Sequence, residues 1–154
     1  MSTEDLKELI CRNAHEIVRL DSRVHETYKV REQSDEKHLE WHRACVEFQA
    51  RYDQLRFPGG YDRGMVRDRV SEGEPHAMEA AVCFLELRPY FFGSGYMFEE
   101  LLRRCKRAPL STAQAARLDV VIQRLLEWRQ TRGKQTGARQ CHWPQTAPAG
   151  KDAC

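Results

Sequence analysis

No proline or glycine interrupts the first 56 residues, and two apolar stripes run through them. Leu6, Ile10, Ala14, Ile17, Leu20, Val24 and Tyr28 recur at threes and fours, which puts them on one side of a helix. Ser2 or Thr3 can cap its start, and Glu4 and Asp5 suit its first turn. Ser34-Asp35 is a second start signal, and Trp41, Cys45, Phe48, Tyr52 and Leu55 follow at spacings of four and three. Neither stripe stays in water if the chain reverses near residues 32–35 and each buries the other. The spacing therefore predicts a helical hairpin over 3–33 and 35–56. The alternative is one unbroken helix, because no strong breaker stands at the junction.

Phe57-Pro-Gly-Gly60 ends this region, since proline removes a donor and glycine permits left-handed backbone. Shorter helices are expected beyond it: a brief one at 62–70, then 76–88, 95–107 and 111–131. Pro75 suits a first helical position, Ser94 is a candidate cap, and Ser111 with Gln114 forms a capping box. The fold class expected is all-α, a helical bundle in one domain over 1–132. Residues 133–154 have the composition of a disordered tail in which Trp143 is the one anchor.

Composition excludes several classes. The charged fraction of 31% suits helices with one buried face. No run of apolar residues reaches the ~18 needed to span a membrane. The start shows no basic and apolar leader, so a cytoplasmic protein is expected. Six cysteines without a CxxC pair read as reduced thiols, several of them packed as small hydrophobes. Residues 1–77 hold 13 Lys+Arg against 16 Asp+Glu, a balance of −3, and the remainder holds 12 against 7, a balance of +5.

Three constellations are candidates for function. Aromatic side chains crowd two glycine-containing loops: Phe57 and Tyr61 in one, Tyr90, Phe91, Phe92 and Tyr96 in the other. Such residues offer large contact area at small entropy cost, which suits a protein-binding surface. The basic half presents Arg103, Arg104, Arg107, Arg117 and Arg124, which could hold phosphates of a nucleic acid. His38, His42 and Cys45 share a helix face, and His25 would lie opposite in a hairpin, a set that could take zinc or another transition metal. Cys11 and His15 form a lesser pair of the same kind.

No catalytic signature is present: no nucleophile elbow, no phosphate loop and no HExxH. The expectation is a small helical protein-binding protein, on the scale of adaptor, immunity or antitoxin proteins, without catalysis or cofactor. Its partner is another protein or a second copy of itself. Nucleic-acid binding through the basic half and a metal-binding sensor or enzyme on the His/Cys face are the two alternatives.

Overall fold

The computed structural model describes residues 1–134. They form an all-α bundle of six helices with no strand among the described residues: α1 (Thr3–Val30), α2 (Asp35–Leu55), α3 (Arg63–Ser71), α4 (Pro75–Leu87), α5 (Ser94–Cys105) and α6 (Thr112–Lys134). The tail reading falls outside the described residues from 135 onward. The helix expected over 111–131 runs instead from Thr112 to Lys134, so Gly133, placed in the tail by the sequence, lies within it.

The hairpin forms as the stripes require. Ser2 caps α1 in a reciprocal box with Asp5, and the Ser34 hydroxyl accepts from the Lys37 amide to start α2. Climbing α1, the partners on α2 descend: Glu16 meets Arg51, Arg23 meets Glu47 at 3.2 Å, and the Tyr28 and Trp41 rings lie 5.8 Å apart. That order is an antiparallel pair. Leu6, Ile10, Ala14, Ile17 and Leu20 are all buried, whereas Ala44 alone is fully buried on α2. The near half of the hairpin thus closes the core, and the far half projects with half-exposed side chains.

α4 is the hub of the bundle. Its sequence suggested a stripe of Met78, Ala81, Val82 and Leu85, but Ala77, Ala80, Cys83 and Phe84 are buried as well. A helix apolar nearly all round is a core helix, and α1, α3, α5 and α6 pack about it. Three alanines at 77, 80 and 81 let those neighbours approach closely. Pro75 opens α4, and Arg88, at φ 44°, ends it in a left-handed turn before Pro89. The capping box of α6 is present, with the Ser111 amide donating to Gln114 Oε1 and the Gln114 amide to Ser111 Oγ, both at 3.1 Å. No described helix is long and apolar enough to cross a membrane.

Candidate docking site

The α4–α5 connection bends at Phe91 and turns over residues 92–93 into α5, which sends neighbouring side chains in different directions. Phe91 goes inward, 5% exposed, edge-on to Phe84 at 6.2 Å and to Tyr52 at 6.4 Å. Tyr90 and Phe92 on either side go outward and are 85% and 65% exposed. Tyr96, one turn into α5, is 84% exposed. Three large rings therefore stand in solvent on one short segment.

The segment beneath them is held firmly. The Phe91 amide donates to Ser94 Oγ at 3.2 Å, and the Ser94 amide returns to the Phe91 carbonyl at 3.0 Å. Ser94 is thus a buried clasp inside the first turn, not the cap that the sequence suggested; Gly93 is the cap residue, at φ 81°. Tyr52 of α2 donates its hydroxyl to the Phe92 carbonyl. A Cβ at residue 93 would stand 2.5 Å from that hydroxyl oxygen, so only glycine fits the approach.

Between this segment, the end of α2 and the start of α3 lies an open groove of about 400 Å³. Tyr52, Tyr61, Phe92 and Tyr96 supply ring faces, and Met97, Arg56, Arg63 and Glu100 complete the lining. The Arg56 guanidinium lies against two of those rings, 4.6 Å from the centre of Tyr52 and 4.0 Å from that of Tyr61, with Asp53 at 2.9 Å. Arg63 contacts Glu100 at 3.1 Å, and Tyr61 donates to the same carboxylate at 3.3 Å. Burial first, then the Glu100 charge, pushes the Tyr61 phenol above its ordinary range, so it stays a neutral donor.

The structure divides the six aromatic candidates evenly. Tyr90, Phe92 and Tyr96 are accessible. Phe57, Tyr61 and Phe91 are buried in the core, Tyr61 also lining the groove floor. Phe91 packs edge-on against Phe84 where α4 ends, and Phe57 packs edge-on against Tyr61 where α2 ends.

The basic candidates disperse. Arg117 is consumed internally. Its Nε and Nη2 grip both oxygens of Glu86 at 2.9 and 2.8 Å, and its Nη1 reaches Glu79 at 2.7 Å. Thr3 and Gln114 also donate to Glu79, each at 2.8 Å, and Lys7 approaches Glu86 at 3.4 Å. Burial penalises the charged form of Glu79, yet the donors from Gln114, Arg117 and Thr3 outweigh it and hold the carboxyl down to about 2. Arg104 and Arg124 are half-buried, which leaves Arg103 and Arg107 exposed. Sequence reasoning missed the clamp. Its signal was Glu79 and Glu86, two carboxylates seven residues apart on an otherwise apolar helix, which can be buried only with a cation.

The metal set does not assemble within the chain. No group of three or more His, Cys, Asp or Glu side chains among the described residues could hold an ion. His25 faces back along α1, its Nδ1 2.9 Å from the Asp21 carbonyl, while His38 and His42 lie exposed on α2 and Cys45 is half-buried. Cys45, Cys83 and Cys105 are free thiols among the described residues. Burial pushes Cys83 up to about 11 and Cys105 up to about 12, so neither is a ready nucleophile.

Comparison with protein-family models, curated proteins and solved structures finds no match to this chain.

Proposed function

We propose that this chain is a protein-binding module, an adaptor, immunity or antitoxin type of protein without a catalytic step. Its docking surface is the set of exposed rings Tyr90, Phe92 and Tyr96, the last two of which line the groove. The observation that carries the reading is the pairing of exposure with rigidity at one segment. Three rings are held in water by a backbone that Phe91, Ser94, Gly93 and Tyr52 fix in place. Leaving such rings solvated forgoes about 2 kcal/mol apiece of burial energy, which a partner recovers. Preformed geometry keeps the ordering cost of binding low. Tyrosine and arginine at the groove floor match the composition of residues that dominate binding energy. Its lining offers ring faces and ion-paired side chains, which suits holding a partner rather than transforming one.

The test uses the full chain with a photo-cross-linking residue in place of Phe92, expressed in its native host, to trap and identify the partner. Affinity for that purified partner is then measured for Phe92→Ala, Tyr96→Ala and Val120→Ala. Loss of tenfold or more is expected for each of the first two, equivalent to at least ~1.4 kcal/mol. Val120→Ala, on exposed α6 surface, is expected to bind normally. A trapped partner that binds the Phe92→Ala/Tyr96→Ala double variant with unchanged affinity overturns the reading.

A further inference from the structure

α3 and α5 lie side by side and run in the same direction. Arg63 pairs with Glu100 at 3.1 Å near their starts, and a Cβ on Gly73 would stand 2.6 Å from Pro109 beyond their ends. One turn past the Arg63–Glu100 pair, Arg67 follows on α3 and Arg104 on α5, each on the helix face of its predecessor. Equal steps along parallel helices bring these two arginines level across the groove. Arg107 stands one turn further along α5, on the same side as Arg104. Arg67 and Arg107 are exposed, and Arg104 is half-buried. Arg67 reaches its neighbour Asp68 at 3.1 Å. Helical spacing would pair Glu100 with Arg104, but Arg63 and Tyr61 hold that carboxylate instead. Arg104 Nε is buried and donates to nothing among the described residues, so packing rather than an acid holds this guanidinium in place. Cations that face one another repel, and an anion on their outward nitrogens offsets that repulsion.

We propose that Arg67, Arg104 and Arg107 form a binding site for a phosphate dianion. Guanidinium forks match phosphate oxygens in pairs, and arginine clusters are a recurrent means of recognising phosphorylated peptides. Three cations converge on one short stretch, which suits a single phosphate group. A nucleic-acid backbone fits less well, because it needs a longer cationic track, and Glu100 and Asp68 bound this cluster. Free phosphate and a phosphorylated side chain present the same chemistry, and the experiment separates them. The site lies a turn beyond the aromatic groove and does not depend on the role of that groove.

Nuclear magnetic resonance of the arginine Nε–H groups decides it, on the full isotope-labelled chain at constant ionic strength. The titrants are inorganic phosphate, a short peptide with one phosphoserine, the same peptide unphosphorylated, and a single-stranded oligonucleotide. Saturable shifts of Arg67, Arg104 and Arg107 are expected in phosphate and in the phosphopeptide, and none in the unphosphorylated peptide. Arg12, exposed on α1, should not respond. Equal affinity for the two phosphate forms assigns the site to free phosphate, and tighter binding of the phosphopeptide assigns it to a phosphorylated side chain. Arg104→Gln and Arg107→Gln should each weaken binding by about tenfold or more, and Arg12→Gln should not. Arg107 is exposed, so its variant keeps the fold whatever Arg104→Gln does. Absence of saturable shifts overturns the proposal. So do shifts spread evenly over Arg12 and the three arginines. An oligonucleotide that binds more tightly than the phosphopeptide overturns it as well, since the surface would then serve nucleic acid.

Discussion

Replacing Arg117 by methionine is expected to lower the free energy of unfolding by about 3 kcal/mol at pH 7, because it strands two partly buried carboxylates. Glu79 and Glu86 keep only 20% of their side-chain surface in water and lose the guanidinium that neutralises both. Methionine preserves the volume of the arginine stem, so the loss reports charge and hydrogen bonding rather than a cavity. The pH dependence adds a second signature. Glu79 is depressed from 4.5 to about 2 in the folded chain. A depressed carboxyl contributes stability that is fully present above its unfolded value and is lost as pH falls through its folded one. The wild-type chain should therefore lose stability between about pH 5 and pH 2, by about 2–3 kcal/mol from this group once residual solvent screening is allowed for. In Arg117→Met, burial pushes both carboxyls upward instead, so stability should rise as pH falls from 7 to 5. Urea unfolding at pH 7, 5 and 3.5 reads both effects. Arg117→Lys keeps the charge but not the fork, and should fall between the two chains. Parallel acid limbs in wild type and Arg117→Met would remove the clamp from this account.

That clamp also shows why the sequence was legible in some places and not in others. Contacts local along the chain leave local signals. The stripes of the hairpin, the reversal at Ser34 and the Ser111–Gln114 box could all be read because each depends on residues within two turns of one another. α4 could not be read as a hub. When neighbours cover a helix on every side its apolar pattern loses its period, and Ala77–Leu85 looks like a poor stripe rather than a buried core. Arg117 looked like a free cation because its partners lie 31 and 38 residues away. The aromatic loop was recognised as a site but not sorted into its parts. Helical spacing says nothing about a turn, in which Tyr90 and Phe92 face out while Phe91 packs inward on Phe84 and Tyr52. For His38, His42 and Cys45 the shared helix face was legible, but the absence of a fourth ligand on α1 depended on the register of the hairpin.

The second large effect is expected from Gly93→Ala, a change of one methyl group. Residue 93 sits at φ 81°, where an alanine costs about 1–2 kcal/mol. The added Cβ also meets the Tyr52 hydroxyl at 2.5 Å and must displace it from the Phe92 carbonyl, which forfeits about 1 kcal/mol more. The total, about 2–3 kcal/mol, falls on a few residues between α4 and α5 and leaves the hub around α4 in place. Amide exchange should therefore accelerate at residues 90–96 and change little in α4. Gly95→Ala is the control: it lies inside α5 at ordinary φ with open space beside it, so it should be neutral or slightly stabilising. If the proposed docking surface depends on rings held in fixed positions, Gly93→Ala should weaken partner binding more than Phe92→Ala does. The first moves all three rings and their backbone, whereas the second removes one ring and leaves Tyr90 and Tyr96 where they were. Equal or weaker impairment by Gly93→Ala would mean that the rings bind as a soft apolar patch, and that the fixed backbone beneath them serves the fold alone.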